Sequence, residues 1–146
     1  MPHVVILYTG NLEAQTDMGR LCRSLADTML TIRAEDGSPV FPTGGTRVYA
    51  YPAPHYAVSD GGAAGREAGG DGDYGFIYIN LRMGAGRSDA VKKAAGDALT
   101  ACAKEHLAPL FANPRQHLGL TVQVDEAPGQ VYDAKHSSLH PLFVKK

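Results

Sequence analysis

The chain has 146 residues, of which 44% are hydrophobic and 20% charged, a balance typical of a single globular domain with a real core. Its formal net charge of −1 gives no reason to expect nucleic acid or an anionic membrane as a partner. No signal peptide and no apolar run long enough to cross a membrane are visible, and both cysteines lie in helical patterns. We therefore expect a cytoplasmic protein with reduced cysteines.

The first half of the chain predicts a strand, a helix and a second strand. Residues 3–8 form an apolar, β-branched-rich run, which is typical of a strand buried on both faces. Asn11 is predicted to cap a helix that ends near Ala34. The second strand is predicted over 46–51. The helix carries one apolar stripe at helical spacing, formed by Met18, Leu21, Cys22, Leu25, Met29 and Ile32.

A glycine-rich segment interrupts the pattern over 52–73. Six of the seventeen glycines lie between 61 and 72, among Ala, Ser and Asp. This composition predicts a mobile loop with little to bury. Loops of this length in a compact domain are usually functional or disordered, so we expect an insertion within the domain.

The second half repeats the order of the first. Aromatic and β-branched residues over 74–81 predict the clearest strand of the chain. Ser88 is a good cap for a second helix, which Pro109 should kink or end. Alternating apolar residues over 118–124 predict a half-buried strand. The apolar stripe of the second helix is Val91, Ala94, Ala95, Ala98 and Cys102.

Two strand–helix–strand units predict an α+β fold, in which two β-α-β units form a four-stranded mixed sheet with both helices on one face. The other face also carries apolar residues, and oligomerisation is the simplest way to cover it. We assign 1–125 to this domain and 126–146 to a C-terminal tail. The apolar residues of the tail favour docking on a neighbouring subunit, and a solvated tail is the alternative.

Pro2 is the first candidate for chemistry. If Met1 is removed, Pro2 becomes a secondary amine at the tip of the first strand. An α-amino group has a pKa of about 7.7–8.0, and a general base works best when its pKa lies near the working pH. Met-Pro starts are common, however, and most of them are inert.

Two arginines form a candidate carboxylate site. Arg87 follows two glycines and precedes a helix N-terminus, where backbone N–H groups and the helix dipole favour anions. Arg47 follows a glycine-containing turn at the start of a strand. A guanidinium binds a carboxylate through two parallel hydrogen bonds, although either arginine could instead be an exposed charge. We expect no metal, because His136 and His140 lack the further ligands of a coordination set.

Several segments in order resemble one known family. These are Met1-Pro2-His3, Phe41-Pro42 with Gly45 and Arg47, Asp73-Tyr74, Gly84-Ala85-Gly86-Arg87-Ser88, and the ending His140-Pro141-Leu142-Phe143-Val144-Lys145. Together they resemble the 5-carboxymethyl-2-hydroxymuconate Δ-isomerases of the tautomerase superfamily, over nearly the whole chain.

This resemblance implies a homotrimer and a cofactor-free isomerase of homoprotocatechuate degradation, a pathway of aromatic catabolism. It implies catalysis by Pro2, Arg47 and Arg87, and binding of a small carboxylate substrate by Arg47, Arg87 and Ser88. The 52–73 segment is longer than expected in this family, which leaves the exact substrate open. The alternatives are a tautomerase for another 2-oxo acid or arylpyruvate enol, and a non-catalytic trimeric binding protein of the same fold.

Overall fold

A computed structural model describes residues 2–144. Met1, Lys145 and Lys146 lie outside the described residues, so the condition that Met1 is removed and the Lys145 position of the family resemblance fall outside them as well. The strands are β1 (His3–Thr9), β2 (Val48–Ala53), β3 (Gly75–Gly84) and β4 (Leu118–Ala127). The helices are α1 (Met18–Thr31), α2 (Ala63–Glu67) and α3 (Asp89–Phe111). Within residues 2–144, no helix has both the length and the hydropathy that a membrane span requires.

The four strands form one mixed sheet in the order β2-β1-β3-β4. β1 is parallel to β2, β3 is parallel to β4, and the two central strands β1 and β3 are antiparallel. Each parallel pair needs a crossover, which α1 supplies for the first pair and α3 for the second. The predicted fold of two β-α-β units is therefore confirmed.

The core lies between one face of this sheet and the two long helices. Alternate residues of the central strands are buried, as the period of a strand requires. On β1 these are Val4, Ile6 and Tyr8, and on β3 they are Ile77, Ile79, Leu81 and Met83. They pack against the stripes of α1 and α3, which include Leu21, Leu25, Met29, Ala95, Leu99 and Leu107. Both long helices thus cover the same face, as predicted.

The opposite face of the sheet is open in the single chain. Leu7, Tyr51 and Phe76 are 49%, 53% and 39% exposed on this face. The prediction that β1 is buried on both faces is therefore wrong for one chain, because α1 and α3 lie together on the other side. Exposed apolar side chains on three neighbouring strands mark a surface that a partner would cover.

The predicted start and end of α1 are both corrected. Asp17 caps the helix, and its side chain accepts a hydrogen bond from the Arg20 N–H at 2.9 Å. Asn11 lies earlier, in a short 3₁₀ turn, and its amide donates to the Tyr74 carbonyl at 3.0 Å. The helix ends at Thr31 because Ile32 is extended and its carbonyl accepts from Val40 N–H at 3.1 Å.

Pro109 does not end α3 where it stands. The helix continues for two residues, to Phe111. Proline lacks an N–H group, so it removes one hydrogen bond of the helix. The next turn still closes, since the Ala112 N–H donates to the Ala108 carbonyl at 3.0 Å. A single missing bond in the last turn is therefore tolerated.

The glycine-rich segment is more ordered than its composition predicts. β2 extends to Ala53, and α2 lies within the segment. Gly65 is buried against Tyr74, whose hydroxyl accepts from the Gly65 N–H at 2.8 Å. A Cβ at Gly65 would lie 2.6 Å from the Tyr74 ring, so only glycine permits this close approach. The segment is thus not a plain loop, but little of it is buried, since Gly62 and Gly65 are its only buried residues.

Candidate active site

The sheet topology brings the three predicted catalytic residues to one edge. β1 and β2 are parallel and begin at this edge, whereas β3 is antiparallel to β1 and ends there. Pro2 precedes β1, Arg47 precedes β2, and Arg87 follows β3 after two residues, Ala85 and Gly86. The Val4 N–H donates to the Arg47 carbonyl at 3.0 Å, which ties the first two segments directly.

Pro2 lies at the tip of a central strand. It is buried, and it continues the alternation of buried residues that Val4 and Ile6 show in β1. Its neighbour His3 pairs with Arg82 of β3. The start of the chain is therefore held by partners on both sides, which is unusual for a terminal segment.

Arg87 is held by the backbone of two separate segments. Its Nη1 donates to the Gly84 carbonyl at 3.0 Å, and its Nη2 donates to the Val40 carbonyl at 3.1 Å. Its Cζ lies 5.6 Å from the centroid of the buried Phe41 ring, within cation–π range. These contacts orient the guanidinium while leaving it partly exposed.

Arg47 is oriented by the turn that precedes it. Its Nη1 donates to the Gly45 carbonyl at 3.0 Å. This turn is closed by hydrogen bonds from the N–H groups of Gly45 and Thr46 to the Pro42 carbonyl, each 3.0 Å long. Like Arg87, Arg47 is half-buried, and its described side-chain hydrogen bond goes to a carbonyl oxygen.

The positive charge of both arginines is available to a ligand. Among residues 2–144, neither guanidinium forms an ion pair with a carboxylate. Lys92, in the first turn of α3, differs because it contacts Glu126 at 2.7 Å and Asp89 at 3.2 Å. An anion that entered this edge would therefore meet two guanidinium groups whose charge is not already neutralised.

Ser88 caps α3, as predicted, but its hydroxyl already has two partners. It accepts from the Val91 N–H at 3.2 Å and donates to the Glu35 carboxylate. That hydrogen bond from Ser88 holds the pKa of Glu35 below its usual value. A substrate oxygen would have to replace Glu35 to bind this hydroxyl, and the substrate-binding role of Ser88 stays a prediction.

Arg82 lies near the same edge and was missed by the sequence analysis. It is opposite His3 in the β1–β3 register, and it is exposed. Its neighbours Leu81 and Met83 are buried, so Arg82 points to the open face of the sheet. This alternation within a predicted strand is the signal that could have found it.

A groove of about 810 Å³ between α1 and α3 is lined by residues that include Arg20, Cys102 and His106, and by none of the predicted site residues. Within the described part of the chain, no group of three His, Cys, Asp or Glu side chains is placed to hold a metal.

Comparisons with known proteins agree on one family. The family model for 5-carboxymethyl-2-hydroxymuconate isomerase matches residues 2–143. A 5-carboxymethyl-2-hydroxymuconate Delta-isomerase of Escherichia coli is 24% identical over 143 residues, which cover 98% of this chain and 99% of the relative.

Two solved structures extend this similarity to the fold. A 5-carboxymethyl-2-hydroxymuconate delta-isomerase is 59% identical, with a TM-score of 0.94 over 100% of this chain and 95% of the other. A 5-carboxymethyl-2-hydroxymuconate isomerase from Deinococcus radiodurans R1 is 31% identical, with a TM-score of 0.77 over 99% of this chain and 95% of the other.

Proposed function

Because this chain belongs to the 5-carboxymethyl-2-hydroxymuconate isomerase family, we propose that it is a cofactor-free isomerase of such a dienol, with Pro2 as its base. The observation that carries this proposal is the edge shared by three residues. Pro2 lies at the tip of β1, Arg47 precedes the neighbouring strand β2, and Arg87 follows the neighbouring strand β3. Neither guanidinium group has a carboxylate partner among residues 2–144.

The Pro2 nitrogen acts as the base once Met1 has been removed. The neutral secondary amine takes a proton from the 2-hydroxyl group of the dienol or from the adjacent carbon. A proton returns to a carbon further along the conjugated system, and the double bonds shift between these two points. The step is balanced without an oxidant or a reductant, because one proton leaves and one arrives.

The two arginines favour this chemistry in two ways. Their positive charge disfavours protonation of the Pro2 nitrogen, so it lowers the pKa of the amine toward neutrality. It also stabilises the dienolate oxygen that becomes negative when the proton leaves. A substrate of this class carries three carboxylates, and a forked guanidinium matches the geometry of a carboxylate. Arg47 and Arg87 therefore bind the substrate as well as stabilise its charge.

The assembly in this proposal is a homotrimer. The open face of the sheet supports an oligomer, since Leu7, Tyr51 and Phe76 expose apolar surface there. A neighbouring subunit that covers this face would also exclude water from the nearby edge, and exclusion of water strengthens the charge interactions on which the arginines depend.

The test combines the mass of the purified protein with an ultraviolet assay on the carboxymethyl dienol. We expect the mass of a chain that begins at Pro2, turnover by the wild type, and a large loss of turnover in Pro2→Ala. Arg23→Ala is a matched control, because Arg23 lies on α1 and pairs with Asp27 at 2.7 Å, and its turnover should equal that of the wild type.

Three results would contradict the proposal in different ways. Turnover of an arylpyruvate enol but not of the carboxymethyl dienol would assign the fold to another tautomerase substrate. Full turnover by Pro2→Ala would exclude the proline base. A purified protein that retains Met1 and turns over none of these enols would favour a binding protein, since the Pro2 nitrogen would then be an amide.

A further inference from the structure

The C-terminal segment returns to the edge where the candidate site lies. A short turn, His140–Phe143, packs on the turn Thr43–Gly45, which directly precedes Thr46 and Arg47. The contact is tight at Gly44, where a Cβ atom would lie 2.9 Å from His140 Nδ1 and 3.3 Å from Phe143 Cδ2. We call His140–Phe143 the C-terminal turn.

The segment that the C-terminal turn covers is the one that holds both arginines. At its start, the Val40 carbonyl accepts from Arg87 and the Phe41 ring lies against the same guanidinium. At its end, the Gly45 carbonyl accepts from Arg47. Gly44 lies between these two anchor points, so a shift at Gly44 moves the groups that orient both side chains.

We propose that the C-terminal turn positions both arginines for catalysis, with His140 and Phe143 as its positioning residues. The catalytic part of this inference rests on the proposed function, whereas the positioning part does not. Neither residue needs to touch the substrate. Their role is to hold the 40–45 segment, so that its carbonyl oxygens hold the two guanidinium groups.

The segment needs such support because it has little regular structure of its own. Over residues 40–46, its described backbone hydrogen bonds are the two to the Pro42 carbonyl that close the turn and one from the Val40 N–H to the Ile32 carbonyl. Gly44 contributes no side chain that could pack. A misplacement of about 1 Å in a group that orients a substrate can cost about 10²-fold in rate, so a small shift here has a measurable effect.

The C-terminal turn is the part of the tail that carries this contact. Phe143 is 53% exposed, so close to half of its surface is covered, whereas Val131 is fully exposed. The tail from Val131 to Leu139 contains no helix or strand. Removal of a side chain at Phe143 should therefore affect the site, and removal of one at Val131 should not.

The test approaches the contact from both sides. Phe143→Ala removes the side chain from the tail, and a chain that ends at Leu139 removes the whole turn. Gly44→Ala instead fills the space beneath it. The His140 ring could rotate away from the new methyl group, but the His140 Cα atom, 3.2 Å away, belongs to the backbone, so the turn itself must move. Val131→Ala and Gly96→Ala are the matched controls.

Two measurements are made on each variant. Hydrogen exchange at the amides of Gly45 and Thr46, which bond to the Pro42 carbonyl, reports the order of the segment. Kinetics on the carboxymethyl dienol report the consequence for the site. We expect faster exchange at both amides, unchanged exchange in β3, and a fall in kcat/KM of about tenfold or more in all three variants. Phe143→Leu should restore most of the loss.

Each outcome decides the proposal. Faster exchange and a lower kcat/KM in the three variants, with unchanged controls, would support it. Unchanged exchange at Gly45 and Thr46 in the shortened chain would overturn the positioning role. Faster exchange with an unchanged kcat/KM would overturn its catalytic part. If the wild type does not turn over the dienol, the proposed function fails, and the exchange measurement still decides whether the turn positions the segment.

Discussion

Replacement of Arg87 by alanine separates the structural role of its guanidinium from its role in binding substrate. The structural part is two hydrogen bonds to the Gly84 and Val40 carbonyls, at 3.0 and 3.1 Å, and the contact with Phe41. Hydrogen bonds from a charged group contribute about 1.5–3 kcal/mol when buried. Because Arg87 is half-buried and water can replace it at both carbonyls, we expect a loss of only about 1–3 kcal/mol in the free energy of unfolding.

The kcat/KM of Arg87→Ala should fall by more than this loss of stability can explain. One charge-assisted contact to a substrate carboxylate contributes about 1.5–3 kcal/mol, which corresponds to a decrease of about 10- to 150-fold in kcat/KM. The thermal midpoint should fall by about 2–12 °C, since about 1 kcal/mol shifts it by about 2–4 °C in a chain of this length. At an assay temperature well below the midpoint, the variant therefore stays folded while its activity falls.

Arg87→Lys makes the comparison more specific. Lysine keeps the positive charge but not the planar fork, so it cannot donate to both carbonyls while it also binds a carboxylate through two bonds. We expect kcat/KM between those of the wild type and Arg87→Ala, and a larger loss on a substrate with three carboxylates than on one with a single carboxylate.

The assay measures initial rates for both substrates beside thermal unfolding of each variant, with Arg23→Ala as the control for loss of an exposed arginine. A lower thermal midpoint with kcat/KM within about twofold of the wild type would refute the substrate role, and would show that Arg87 only joins two backbone segments. An equal loss on both substrates would refute recognition of carboxylates.

Three further predictions test other parts of the molecule. Pro2→Ala should lower the rate by about 10²-fold or more because it alters the base, and a rate equal to that of the wild type would contradict the proline base. The same variant should lose about 1–2 kcal/mol in the free energy of unfolding because Pro2 is buried. Burial and the neighbouring Glu13 carboxylate raise the pKa of Tyr8 from 10.0 to about 12. The neutral Tyr8 hydroxyl should therefore make its full contribution to the free energy of unfolding below pH 10, and this contribution should be lost as the pH rises toward 12. Tyr8→Phe should flatten that fall in denaturant titrations, and an unchanged slope would contradict the assignment. Tyr74→Phe removes the acceptor of the Gly65 N–H and should lower local stability by about 1 kcal/mol, which would be seen as faster hydrogen exchange at Gly65. Unchanged protection at Gly65 would mean that the glycine-rich segment does not depend on this hydrogen bond.

The sheet and helices could be predicted because their signals are local. The spacing of Leu21, Leu25 and Met29 predicts one face of a helix, and all three are fully buried. The alternation of Leu118 to Val124 predicts a half-buried strand, and β4 contains it. By contrast, the exposure of the second face of β1 in the single chain could not be inferred, because an apolar run does not say whether its cover comes from the same chain or from another.

The candidate site could be predicted only in part. The sequence placed Arg87 before a helix N-terminus, and α3 begins two residues later. It could not predict that the Val40 carbonyl holds this guanidinium, or that Glu35 occupies the hydroxyl of Ser88, because these partners are 47 and 53 residues away along the chain. Such contacts depend on how α1 and the 40–47 segment cross the edge of the sheet, and residue patterns within one element do not contain that information.

The position of β1 in the sheet answers the strongest objection to a terminal base. The ends of most domains are poorly ordered, and a frayed nitrogen could not be held against a substrate. β1, however, is a central strand, with β2 on one side and β3 on the other. Val4 is bonded to the Arg47 backbone, and His3 is paired with Arg82, so the residues directly after Pro2 are held on both sides. The same pairing that orders the terminus also brings Arg47 beside it, because β2 is parallel to β1 and Val48 is in register with Val4. An amine at this point can therefore be rigid without a side chain of its own.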